Sequence, residues 1–288
     1  MQATVLQAVI TGILVGGIYA AMAVGLSIIF GVLKIINVAH AAIALLCAYV
    51  AYTAFSVFGV DPVASLVLTL PAALLIGGAM FRFLIRPVLG RPPLLSLLLL
   101  FGFVNVLEGV MLLAWTADPR ALTPSYSASS LQVGPVIFST TRLLGFAASS
   151  VVVGGLAVFL RRSFLGRAIR ATMEDPQAAL LMGVNTVRVS MIAFVMGVGT
   201  AAVGGTVLGL VYVFYPALHF LWIGKLFCIV VLGGVGSVGG VLAGATVLGV
   251  AESLTATFFP AVWAELVAYV LLVLTLWIRP AGLFGRLA

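Results

Sequence analysis

Asn105 and Glu108 stand at i and i+3 in an apolar stretch, where a carboxylate is costly unless it faces protein or water. Glu108 either serves the passage of a polar solute or snorkels to the surface near its end of the stretch. Asn37 and His40 place two more polar groups in an apolar region. They can close an interhelical hydrogen bond or line a translocation path. Gly234-x-Gly236-x-x-Gly239 has the form of a dinucleotide fingerprint, but it lacks the soluble βαβ context and the acidic residue about twenty positions on. Two uses remain for Gly234, Gly236 and Ser237: close helix approach, or irregular backbone along a cavity. No G-x-x-x-x-G-K-[ST] loop, Ser/His/Asp set or local carboxylate pair occurs. His219 is the only other histidine, and Cys47 and Cys228 read as apolar packing residues, which argues against a metal site. The chemistry within reach is therefore non-covalent, with no catalytic residue, cofactor or metal expected.

These side chains must be held by elements that cross a bilayer. Of 288 residues, 64% are hydrophobic and only 7% charged, against roughly a quarter charged in a soluble domain. The 14 basic residues flank apolar runs instead of forming a phosphate footprint, so nucleic acid is not a partner. Residues 6–59 form one apolar region, read as a span (6–24) followed by a broken pair (25–58). Spans follow at 63–84, 94–116 and 142–160, with a polar stretch at 117–141. Residues 189–254 are apolar and give three crossings, broken at Gly233–Gly240. Glu252 to Glu265 reads as an acidic turn, and 266–278 belong to the last span. Lys34 and Lys225 flank the breaks and are expected to snorkel. The N-terminus lacks a basic leader region and runs straight into the first span, so no cleaved leader is expected.

The pattern predicts an all-α polytopic membrane protein and a single transmembrane domain, 1–288. It has about eight apolar segments, two of them broken, hence up to ten helical pieces. Ten of the fourteen basic residues lie in 82–91, 161–188 and 279–286, which places those loops in the cytoplasm. Parity then puts both termini inside. The halves look alike: spans 6–24 and 189–212, broken pairs 25–58 and 223–251, and matching Arg86-Pro87 and Arg279-Pro280. They are read as two parallel repeats. Discontinuous helices in corresponding places point to a substrate path.

The loop 161–188 holds five basic and two acidic residues. Asp175-Pro176 reads as a helix start and Gly183 as its left-handed stop. The enclosed helix, Pro176 to Met182, is too short to persist alone and must pack against something. Arg167, Arg170 and Glu174 share one face of the preceding turns. The loop is a docking element or an ordinary solvated connector.

Four stretches carry a resemblance: GLSIIFGVLKIINVAHAAIALLCAY (25–49), GRAIRATMEDPQAALLMGVNTVRV (166–189), VLGGVGSVGGVLAGATVLGVAES (231–253) and RPAGLFGR (279–286). With their spacing, the chain resembles the permeases of bacterial ABC importers for branched-chain amino acids. The resemblance implies an inner-membrane subunit paired with a second, related permease, two cytoplasmic ATPases and an extracytoplasmic binding protein. It also implies that the central loop, with Arg167, Arg170, Glu174, Asp175, Pro176, Leu180 and Gly183, docks into an ATPase as a coupling helix. Asn37, His40, Asn105, Glu108, Gly234, Gly236 and Ser237 are the candidates for the path. The family often has Asn-Phe-Ala-His-Gly and then an acid, where this chain has Asn37-Val38-Ala39-His40-Ala41-Ala42. Other classes compatible with the pattern are a permease for urea, short amides or another small polar solute, an ion-coupled secondary transporter, and a structural membrane subunit.

Overall fold

The computed structural model describes residues 1–279 and 281–283. α1 (Gln2–Leu33) is one helix of 32 residues, about 48 Å long at 1.5 Å per residue. It is apolar on every side, and nearly all its residues from Leu14 onward are buried, as a helix without a polar face must be. Residues 34–39 lead to α2 (His40–Phe58). α3 (Leu66–Met80) widens through a π-helical turn, Phe81–Ile85, into the basic loop, and α4 (Pro93–Trp115) returns. The polar stretch after α4 contains an antiparallel hairpin of β1 (Ser130–Val133) and β2 (Val136–Ser139). α5 (Thr140–Arg162) leads to the short pair α6 (Phe164–Glu174) and α7 (Pro176–Leu181). α8 (Thr186–Val211), α9 (His219–Gly233), α10 (Val238–Phe258) and α11 (Ala261–Ile278) complete the bundle.

Nine helices among the described residues are long and apolar enough to cross a membrane, between the eight segments and ten pieces expected. Gln7, near the start of α1, clamps the hairpin: its Nε2 donates to Ile137 O at 2.7 Å, and Ile137 N donates to its Oε1 at 2.8 Å. At the other end of α1, Ser27 Oγ accepts from Gly236 N at 2.9 Å, and Gly31 faces Met173 of α6. The N-terminus therefore lies at the hairpin end of the bundle, and α6–α7 lie at the opposite end. Leu283 N donates to Leu232 O at 2.7 Å, so the described C-terminal residues sit at the α6–α7 end. Pro280 and Arg286, expected to close the last basic loop, fall outside the described residues.

This corrects the expectation that both termini share a side. α1 runs unbroken past Gly25 and Gly31 to Leu33, and the chain then returns through 34–39 to α2. The 25–58 region supplies the end of one crossing and the whole of a second, not a hairpin added to a completed span. An odd number of crossings follows. The sense of the repeat changes with it. α1 and α8 run antiparallel, Gly25 beside Gly197 and Met22 beside Gly204. α1–α4 correspond to α8–α11 with inverted direction. In each half a long buried helix ends in an irregular stretch, 34–39 or 212–215, and a helix then starts at a buried histidine, His40 or His219. The packing follows suit, α1 lying along α10 and α8 along α3.

Gly12 and Gly16 on α1 meet Ala245 and Gly249 on α10, two small-x-x-x-small pairs that let the backbones touch. A Cβ on Gly16 would stand 2.7 Å from Ala245 O, and one on Gly249 would stand 2.7 Å from Gly16 N. Gly249→Val is therefore expected to destabilise the folded subunit by about 1–3 kcal/mol or more. Gly155→Val, where an added Cβ meets nothing within 4 Å, is expected to be near neutral. Denaturation of the purified subunit in detergent checks both.

Candidate functional site

Polar groups gather at two places in the bundle and at its α6–α7 end. The first is in the half nearer the hairpin, where α9 and α10 bring Lys225 and Glu252 together, Nζ to Oε1 3.0 Å, each side chain about 9% exposed. Tyr19 of α1 donates to the other carboxylate oxygen, Oε2, at 2.7 Å, and its hydroxyl lies 3.1 Å from that of Tyr212. Trp222 stands edge-on to both tyrosine rings, and the Lys225 ammonium lies 5.4 Å from the centre of its ring. A cavity of about 520 Å³ is lined by Tyr19, Tyr212, Lys225 and Glu252 and, toward the hairpin end, by Thr4, Gln7 and Arg142.

These residues overturn two expectations. Lys225 does not snorkel: its stem is too deep, and its charge is met by Glu252. Glu252 does not lie in a turn, because α10 continues to Phe258 and the turn falls at Phe259-Pro260. The available clue was that Phe258-Phe259-Pro260 marks the end of a span, which leaves Glu252 inside it and in need of a partner. Glu265, likewise, sits within α11.

The second place joins Glu108 of α4 to His219 at the start of α9, 3.2 Å apart. Asn105, one turn from Glu108, is exposed on the outer face of α4 and bonds back to Phe101 O at 2.9 Å. Asn37 and His40 are fully buried at the first break. His40 Nε2 reaches Met22 O at 2.9 Å; neither polar side-chain atom of Asn37 has a hydrogen-bond partner among the described residues. At the other break Gly234 and Gly236 take φ of +90° and +78°, and Ser237 Oγ caps α10 through Gly240 N at 3.0 Å. The structure thus places the expected path residues at four separate points, and none of them lines the 520 Å³ cavity. Lys34 is exposed at the end of α1, as snorkelling requires.

At the α6–α7 end, local structure follows the sequence closely. Asp175 Oδ1 accepts from Gln177 N at 2.8 Å and Ala178 N at 3.0 Å, Pro176 opens α7, and Gly183 closes it at φ +82°. α6 buries Gly166, Ala168, Ile169 and Thr172 and exposes Arg167, Arg170 and Glu174. Leu180, Leu181 and Met182 are 60%, 88% and 84% exposed at the tip.

Comparison with known proteins places this architecture. The sequence pattern of the family described as branched-chain amino acid transport system, permease component, matches residues 8–276. The chain belongs to that family. The chain is 34% identical to the high-affinity branched-chain amino acid transport system permease protein BraD of Pseudomonas aeruginosa, over 98% of this chain and 96% of the relative. LivH of Escherichia coli K12, named in the same words, is 32% identical over the same shares. Among solved structures, PsaBC from Streptococcus pneumoniae in complex with Fab matches with a TM-score of 0.53 at 11% identity, covering 97% of this chain and 93% of that one, a likeness of fold. This permease is accordingly a multi-pass inner-membrane subunit of a transport system, not an enzyme.

In this permease Lys225→Met leaves the Glu252 carboxylate buried without its counter-ion. The expected cost is about 3–5 kcal/mol of stability. Adding Glu252→Met should recover much of that loss, because two apolar groups replace the pair without stranding a charge. Unfolding midpoints of the single and double variants check this.

Proposed function

We propose that this permease carries branched-chain amino acids into the cytoplasm as one of two related permease subunits, a heterodimer, in an ABC importer. The end-to-end match to BraD and LivH carries this reading, since both are named for that transport. The partners are two cytoplasmic ATPases, which supply the hydrolysis, and an extracytoplasmic binding protein. The α6–α7 end faces the cytoplasm, because the basic loops 82–91 and 161–188 lie there, and the N-terminus and hairpin face outward.

α7 is the coupling helix. A helix of six residues does not persist alone, so its caps and its partner must hold it. Exposed Leu180, Leu181 and Met182 offer the ATPase an apolar tip, with Arg167, Arg170 and Glu174 on the shoulder. Movement received there reaches Met173, which touches the region of Gly31 and Gly236. The irregular backbone at 34–39 and Gly234–Ser237 bends more cheaply than continuous helix, so these breaks are the hinges of alternating access. Asn37, buried with its amide unsatisfied, carries a cost that a second conformation can relieve.

The test is uptake of labelled leucine, isoleucine and valine by the complete importer in vesicles, with urea and acetamide as competitors. Saturable uptake that neither competitor reduces supports the reading; uptake of the amide or urea in place of the amino acids refutes it. Losing the Asp175 cap costs about 1 kcal/mol of local helix stability, and valine at Gly183 adds strain at φ +82°. Asp175→Ala with Gly183→Val is expected to abolish stimulation of ATP hydrolysis by loaded binding protein while membrane insertion stays normal. A double variant that couples like the parent would make the loop a plain connector.

A further inference from the structure

The cavity that ends on Lys225 and Glu252 adjoins a second one of about 640 Å³ beneath the hairpin, and the two share Thr4, Gln7 and Arg142 as lining. Together they lead from the hairpin surface past Thr4, Gln7, Thr11 and Arg142 to a buried ion pair. The inner volume of about 520 Å³ falls in the range of roughly 300–1,000 Å³ used for small-molecule sites.

We propose that the inner cavity binds one zwitterionic α-amino acid, its carboxylate on Lys225 and its ammonium on Glu252. This rests on the reading that the transported solute is an amino acid. The two charges meet at 3.0 Å. A zwitterion carries one charge of each sign two bonds apart, so it can enter between them and exchange one ion-pair contact for two. Net charge in the site is unchanged, and neither Lys225 nor Glu252 is left without a counter-ion. A solute lacking either charge cannot do this: parting the pair would strand one partner in a poorly hydrated place. Tyr19 holds Glu252 Oε2, which leaves Oε1, the oxygen now on Lys225, as the one to exchange. Arg142 and Glu265 also line this cavity, again one of each sign. Ala8, Val15 and Ala256 supply apolar wall for an aliphatic side chain.

An ion pair that only ties α9 to α10 would use the same two residues, so the test must separate the two roles. Ser253 lines the cavity without belonging to the pair. In the complete importer, with Cys47 and Cys228 replaced by alanine, Ser253→Cys is alkylated by a small thiol reagent and the rate is followed. L-Leucine at about ten times its dissociation constant is expected to slow alkylation about tenfold. Isocaproate, which lacks the ammonium, and isoamylamine, which lacks the carboxylate, are expected not to. Lys225→Met with Glu252→Met is expected to lose both this protection and leucine uptake. If leucine gives no protection with the pair intact, or if the double variant transports leucine with the parental KM, the pair is structural and the proposal fails. Failure of the functional reading looks different: no uptake of leucine, isoleucine or valine by the parent, but protection of Ser253→Cys by another α-amino acid. That outcome keeps the zwitterion site and rejects the branched-chain assignment.

Discussion

The contact on which the rest of the bundle depends is backbone against backbone, α1 on α10 through Gly12, Gly16, Ala245 and Gly249. Between helices in lipid there is little hydrophobic driving force, because the tails are as apolar as the side chains, so close approach and dispersion must hold the helices. Small residues on facing surfaces supply that approach. From Leu14 onward α1 is thereby enclosed on nearly all sides, which is why that part of the helix shows no polar face. With α1 as an axis, α8 packs antiparallel to it, and the two halves of the chain arrange themselves in inverted sense around the pair.

A bundle closed this tightly leaves few places for charge, and among the described residues the buried ones are paired. Lys225 meets Glu252, and Glu108 meets His219, both pairs reaching across from one helix to another. Tyr19 links the first pair to the axis helix, so a polar group on α1 reads the state of α9 and α10. The breaks that follow α1 and α9 lie on the side of α6, where Met173 stands beside Gly31 and Gly236. Outer cavity, axis helix, breaks and α6–α7 are therefore in physical succession along one column of the molecule.

Much of this was legible from residue order alone, and the limit is instructive. The membrane class, the segment positions and the α7 caps follow from short-range rules, since Asp175, Pro176 and Gly183 act on their own neighbours. The Lys225–Glu252 pair does not, because the two residues lie on different helices and no periodicity within one helix couples them. The side of the N-terminus was lost for a related reason. Lys34 to Ala39 reads equally as the turn of a hairpin and as a return after a completed crossing, and only packing of Ser27 on Gly236 and of Gln7 on Ile137 separates the two. One miscounted crossing then turned an inverted repeat into a parallel one.

Whether α1 crosses once, with its start opposite the α6–α7 end, is directly measurable. Single cysteines at Ala3 and Gln177, both exposed, are introduced with Cys47 and Cys228 replaced by alanine, and intact cells are treated with a membrane-impermeant maleimide. Labelling of Ala3→Cys in intact cells, and of Gln177→Cys only after permeabilisation, is the expected result. Labelling of both from the same side would contradict the single crossing of α1 and with it the inverted arrangement of the two halves.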